Sequence, residues 1–281
     1  MEPTTHATPV VAIRFEPLAP LTALVRHRRL VVELTKRDVV ARYRGSRIGL
    51  VWTLLQPLLL LGLYTFVFGT IFRMKWGTEA ATHADFATLV FAGLIVHGLA
   101  AECIGRAPAL VLAHANYVKR VVFPLEVLPW VAVLAALFQT LVNLVVLVVF
   151  VAFATGALSW TALLAPLVLL PLILLCAGAT WFLASLGVFL RDVGQIVGFV
   201  ATLLLFLSPI FYPITAVPVE FRPIVEWNPL TPTIEQLRAV TVFGTQPDWT
   251  RLAALLVAGM VFAALGHYGF QRWRHAFADV L

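Results

Sequence analysis

The chain has 281 residues, of which 61% are hydrophobic and only 12% charged, against roughly 25% charged in an ordinary soluble domain. So little charge cannot cover a water-facing surface, and a mean hydropathy of +0.94 points the same way. The net charge of +6 is no sign of nucleic acid, because the basic residues cluster at helix ends, where headgroups and topology rules place them.

The first 50 residues are polar and charged and contain no short apolar stretch before a small-residue cleavage site, so no cleavable signal is expected. Within them, residues 22–43 alternate basic and apolar positions at helical spacing. Leu24, Leu30, Val31, Leu34 and Val39 share one face, opposite Arg28, Arg29 and Lys36. That pattern predicts an amphipathic helix lying in the membrane interface.

A bilayer core takes about 20 apolar helical residues, and six such windows follow. They run over about 51–72, 86–112, 128–153, 162–190, 193–211 and 252–270. With the N-terminus inside, the cytoplasmic side holds Arg14, Arg26, Arg28, Arg29, Lys36, Arg37, Arg42, Arg44, Arg47, Arg106, Lys119, Arg120, Arg191, Arg272 and Arg274. Only Arg73, Lys75, Arg222, Arg238 and Arg251 fall on the other side. That bias predicts both termini in the cytoplasm. The expected fold is an all-α polytopic membrane protein with six transmembrane helices. It divides into a cytoplasmic segment 1–50, a membrane domain 51–272 and a short tail 273–281.

Between the second and third windows lies a short turn, HANYVKRVVFPLEVLP, bounded by the helix breakers Pro124 and Pro129; a short helix parallel to the membrane fits it. The stretch 212–249 holds prolines at 213, 218, 223, 229, 232 and 247, yet Val217, Phe221, Ile224, Val225, Trp227 and Leu230 make it too apolar for a solvated linker. Two short helices dipping back toward the bilayer satisfy both facts, since irregular backbone at that depth must be covered by protein or face water.

Catalytic chemistry is scarce. None of the three lysines (Lys36, Lys75, Lys119) follows a glycine, so there is no phosphate-binding loop. The histidines have no i, i+3 or i, i+4 pair, and Cys103 and Cys176 sit in or beside apolar runs, so neither a metal site nor a disulfide framework is expected. Glu102 is the one intramembrane carboxylate, and its i+4 neighbour Arg106 makes a structural ion pair the expected role. The chain reads as a conduit powered from elsewhere.

Tyr64, Phe68 and Phe72 share one face of the first window, Trp52 and Phe66 another. The fifth carries Phe199 and Phe206, followed by Phe211 and Tyr212. Aromatic rings can stack on the CH faces of sugars; they also serve as lipid-facing or interfacial residues. Gly194, Gly198 and Thr202 form a small-residue stripe suited to close packing, as do Gly62 and Gly69, while Gln139 and Asn143 are placed to hydrogen-bond across helices.

Three stretches carry a family resemblance. They are RDVVARYRGSRIGLVWTLLQPLLLLGLYTFVFGTIF (37–72), ANYVKRVVFPLEVLP (115–129) and RDVGQIVGFVATLLLFLSPIFYPITAVPVEFRPIVEWNPLTPTIEQLR (191–238). With the six-window layout, the chain resembles the membrane-spanning subunit of bacterial ABC exporters for lipid-linked polysaccharides, the O-antigen, teichoic acid and capsule class. The resemblance implies a homodimer with a pore along its axis in the inner membrane. Two copies of a separate cytoplasmic ATPase would bind ATP and Mg, leaving no cofactor in this chain. It implies an ATPase-coupling helix around Asn116, Tyr117, Val118, Lys119, Arg120, Phe123 and Pro124. It also implies pore-lining roles for Trp52, Tyr64, Phe66, Phe68, Phe199, Phe206, Phe211 and Tyr212, and an external gate built on Pro213, Pro218, Phe221, Trp227, Asn228 and Pro229. Partners would be a second copy, the ATPase, the lipid-linked polymer and membrane lipids, with no nucleic acid. Two rivals stand beside it: an exporter of drugs or small lipids with the same fold, and a polytopic membrane enzyme, for which only Glu220, Glu226, Glu235 and Asp248 offer acids.

Overall fold

The computed structural model describes residues 16–44, 49, 51–71, 83–115, 123–156 and 159–280, and every regular element among them is helical. The chain is an all-α polytopic membrane protein. In chain order the main helices are α1 (Ala19–Arg26), α2 (Arg28–Arg42), α3 (Val51–Tyr64), α4 (His83–Leu110), α5 (Val127–Thr155), α6 (Ala165–Phe189) and α7 (Val193–Leu207). There follow α8 (Arg222–Glu226), α9 (Thr231–Thr241), α10 (Trp249–Trp273) and α11 (Phe277–Val280).

Local chemistry sets several ends. Proline occupies the first turn of α1, α6, α8 and α9, where its missing N–H is no loss. Gly156, at φ +69°, closes α5, and the Asp248 carboxylate caps α10 by accepting from the Arg251 N–H at 3.0 Å.

Among the described residues, five stretches are long and apolar enough to cross a bilayer: Val51–Phe68, Phe86–Leu110, Val127–Thr155, Trp160–Phe189 and Trp249–Ala276. The sixth expected window, α7, has 15 helical residues. That is ~22 Å at 1.5 Å per residue, short of the ~30 Å hydrocarbon core. Past Leu207 the backbone turns extended at Ser208, ahead of Pro209.

The bundle is centred on α4, whose apolar window is 67% buried, whereas that of α3 is only 17% buried. Helices α3, α5, α6, α7 and α9 all pack on α4, and α10 lies along α6. The α6–α10 contact is made by glycine: a Cβ on Gly266 would stand 2.2 Å from the Gly178 carbonyl oxygen, and one on Gly259 2.7 Å from that of Pro171. Gly187 meets Pro108 of α4 as closely. By contrast, a Cβ on Gly62, Gly194 or Gly198 would meet nothing within 4 Å. The small-residue stripe read on α7 therefore makes no close packing within the chain. Spacing says where backbones can approach, not which ones do.

The expected helix over 22–43 is broken at His27 into α1 and α2. Val31 and Val39 are buried, and Leu21, Leu24, Leu30 and Leu34 pack against the main core. This apolar face rests on the bundle, chiefly on α5, and the Trp130 indole N–H holds the Pro20 carbonyl at 2.9 Å.

Candidate functional site

Trp52, Phe66, Phe199 and Phe206 stand out from α3 and α7 with 39%, 57%, 65% and 64% of their surface open. The other aromatics of the expected pore lining are packed. Phe68 lies 6.1 Å from Tyr64, 5.3 Å from Phe86 and 6.1 Å from Phe211 between ring centroids, and the Tyr212 hydroxyl donates to the Phe206 carbonyl at 2.9 Å. On this segment the split follows the two faces read from spacing: Tyr64 and Phe68, four residues apart, pack together, while Trp52 and Phe66 stand open on the other face, the segment Thr65–Ile71 being π-helical.

α3 also carries Pro57, which has no N–H to offer the Thr53 carbonyl one turn back. The Gln139 side chain supplies the missing donor, with Nε2 3.0 Å from the Thr53 oxygen and 2.9 Å from Asn143 Oδ1. Its own carbonyl accepts from the Tyr43 hydroxyl at 3.3 Å. Gln139 thus ties α3, at its proline, to α5.

At the end of the bundle where α2 lies, four charges meet. Arg106 Nη2 is 2.8 Å from Asp38 Oδ1 and 2.9 Å from Oδ2, while Arg106 Nη1 is 3.6 Å from Glu102 Oε1. Arg42 contacts both Glu102 and Asp38. Each member of the Glu102–Arg106 pair thus has a nearer partner on α2 than within α4. Asp38 and Arg42 were not singled out from sequence. The signal was there: Asp38/Arg42 and Glu102/Arg106 are the same acid-to-base i, i+4 pair written twice.

Of the expected coupling residues, Asn116, Tyr117, Val118, Lys119 and Arg120 lie outside the described residues, and Phe123 and Pro124 are half-buried. Just past them, Glu126 fastens the chain to two helices. Its carboxylate is 3.3 Å from Arg274 Nη1, and its carbonyl accepts the Trp181 indole N–H at 3.2 Å.

In the 212–249 region, Phe221 and Trp227 are exposed, Trp227 at 88%, and Pro218 and Pro229 are also on the surface; Pro213 is half-buried. Asn228 is buried: its Nδ2 donates to Ser208 Oγ at 2.9 Å and its Oδ1 accepts from the Leu230 N–H at 2.9 Å. The residue that sequence reading missed is Arg238, only 1% exposed. Its Nε donates to the Leu89 carbonyl at 3.0 Å, Nη2 to the Ile210 carbonyl at 3.0 Å and Nη1 to Glu235 Oε1 at 2.9 Å. One guanidinium therefore joins α9 to the start of α4 and to the turn after α7. Burial lowers its pKa to about 10, partly opposed by Glu235, so it stays charged at neutral pH. The Glu235–Arg238 pair is legible as an i, i+3 spacing, but the backbone carbonyls of Leu89 and Ile210 are not.

No group of three or more metal-ligating side chains occurs among the described residues. A family model described as "ABC-2 type transporter" matches residues 29–242. Among curated proteins, an "O-antigen export system permease protein RfbA" of Klebsiella pneumoniae is 26% identical over 254 residues, covering 90% of this chain and 95% of the relative. A protein of the same name from Myxococcus xanthus is 27% identical over 259 residues, covering 91% and 96%.

Proposed function

The chain belongs to the ABC-2 type transporter family, and from that premise we propose that it is the membrane-spanning subunit of an ATP-driven exporter. Its cargo is a lipid-linked, O-antigen-like polysaccharide, moved from the cytoplasm across the inner membrane. The observation that carries the reading is the end-to-end similarity to two permeases named for O-antigen export. The open aromatic face of α3 and α7 supports it, because a face of that kind suits sugar rings sliding past.

In this account two copies form the pore, with α3 and α7 of each facing the axis, and α7 together with the apolar residues after Leu207 completes six crossings with both termini inside. Residues 1–50 form the cytoplasmic lead, 51–272 the membrane domain and 273–281 the tail. A separate ATPase binds ATP and Mg beneath the pore and contacts the turn around Lys119 and Arg120. Glu126, gripped by Arg274 and Trp181, passes the push from that turn into α6 and α10. The region 212–249 covers the outer mouth.

Reversing both charges in the turn, Lys119→Glu with Arg120→Glu, is expected to lower export at least tenfold while the subunit still inserts and the ATPase still hydrolyses ATP. Surface polysaccharide, measured beside ATPase activity of the purified complex, checks this. Wild-type export from that variant would remove the turn from the coupling path.

A further inference from the structure

Between α3, α4 and α5 lies a cleft of about 280 Å³, near the ~300 Å³ at which pockets for small organic ligands begin. α3 presents Gln56 and Tyr64 to it, α4 presents His97 and Gly98, and α5 presents Gln139 and Asn143. That is an unusual concentration of amides and hydroxyls for a membrane-crossing bundle, where unpaired polar groups are costly against lipid.

Part of this set has structural work. Gln139 is engaged with Thr53, Asn143 and Tyr43, and His97 Nε2 is 2.9 Å from the Ala201 carbonyl of α7. The rest has none. The Gln56 amide, the Asn143 Nδ2 and the Tyr64 hydroxyl have no hydrogen-bond partner among the described residues. Opposite them, a Cβ on Gly98 would meet nothing within 4 Å, so the α4 wall is open.

The cleft belongs to the open side of the bundle. His97 and Ile104 turn toward α7, Phe91 and Ile95 line the cleft, and Gly98 and Gly105 are exposed on α4. Trp52 stands one helical turn before Gln56 and is also exposed.

The chemistry selects the ligand class. Glu102 lines the cleft, but Arg42 and Arg106 neutralise it, so an ion would find no net charge to bind. Uncharged amide and hydroxyl groups that both donate and accept match the hydroxyl edge of a sugar. An indole beside them matches the ring's CH face. Resting on the polysaccharide-export reading, we propose that this cleft is a sugar-binding shelf. In it Gln56, Asn143 and Tyr64 hydrogen-bond the hydroxyls of one neutral sugar unit of the passing polymer, while Trp52 stacks against it.

The test is made in cells, on the whole exporter, by reading surface polysaccharide at matched membrane levels of the subunit. Gln56→Leu with Asn143→Leu keeps size and removes the hydrogen bonds; export is expected to fall more than threefold. The polar exchange Gln56→Asn with Asn143→Gln is expected to stay within threefold of wild type. If the leucine pair exports within threefold of wild type, or the polar pair fails as badly, the shelf is refuted. Should the leucine pair not accumulate, Gly98→Leu fills the cleft from the open wall and is read against the same threshold. Deleting the subunit separates the two claims: unchanged surface polysaccharide in the deletion strain sinks the export reading itself, whereas its loss there combined with normal export by the variants sinks only the shelf.

Discussion

Replacing Arg238 with methionine is expected to cost ~3–5 kcal/mol, the scale for removing one partner from a buried, hydrogen-bonded charge. Methionine keeps most of the volume, so the loss comes from what is left behind. The Leu89 and Ile210 carbonyls lose their donor, and Glu235 loses its cation. Arg238→Lys is expected to rescue little, because a single ammonium lacks the planar fork that reaches three acceptors in different directions. Thermal unfolding of the detergent-purified subunit checks both substitutions. A midpoint for Arg238→Met equal to wild type would show that α9 is held by its apolar contacts alone.

The second large effect is expected at the α6–α10 seam. Gly266→Ala places a methyl 2.2 Å from the Gly178 carbonyl oxygen, a backbone atom that no rotamer change can move aside. Overpacking of a well-packed site costs ~1–3 kcal/mol and occasionally more, and this contact is at the severe end because two helices must separate to relieve it. Gly194→Ala is the matched control, since a Cβ there meets nothing within 4 Å. In the same unfolding measurement, Gly266→Ala is expected to lower the midpoint clearly and Gly194→Ala to leave it near wild type. Equal behaviour would mean that the seam is looser than its geometry implies.

These two sites mark the boundary of what could be read from the residues. Runs of apolar residues and the prolines between them locate the helices well, because a bilayer imposes length and every backbone group must be satisfied within its own segment. The Glu102–Arg106 spacing was legible for the same local reason. Its partners Asp38 and Arg42 lie sixty or more residues away in sequence, and only the fold brings them together. The burial of Arg238 is still less legible, since the carbonyls it serves belong to Leu89 and Ile210, two apolar residues with no polar side chain to betray them. The aromatic positions were half legible: spacing set Tyr64 and Phe68 on one face and Trp52 and Phe66 on another, and the structure keeps that division, the first pair packed and the second open. Spacing separates the faces of a helix, and only the fold decides which of them is covered. The length of α7 went the same way, with Ser208 ending the helix before the apolar run does.

The glycines carry a similar lesson about function. The glycines whose Cβ would run into backbone, Gly178, Gly187, Gly259 and Gly266, lie on α6 and α10, whereas Gly62, Gly98, Gly105, Gly194 and Gly198 on α3, α4 and α7 face open space; Gly93 of α4, packed at 3.3 Å, and Gly269 of α10, open, stand outside that division. Two of those three segments, α3 with its π-helical continuation and α7, also carry the exposed Trp52, Phe66, Phe199 and Phe206. One side of the bundle is therefore closed and tight, the other open, aromatic and low in side-chain bulk, as half of a conduit for a wide polymer would be.

The central claim is tested most directly by ATP-dependent transport in vesicles. The subunit is purified with its ATPase, reconstituted, and supplied on the ATPase side with lipid-linked polysaccharide extracted from the same cells. The account predicts that ATP moves polymer to the opposite side, where an added glycosidase or lectin in that compartment detects it, and that a non-hydrolysable ATP analogue does not. A reconstituted complex that hydrolyses ATP yet leaves the polysaccharide where it was added would contradict it.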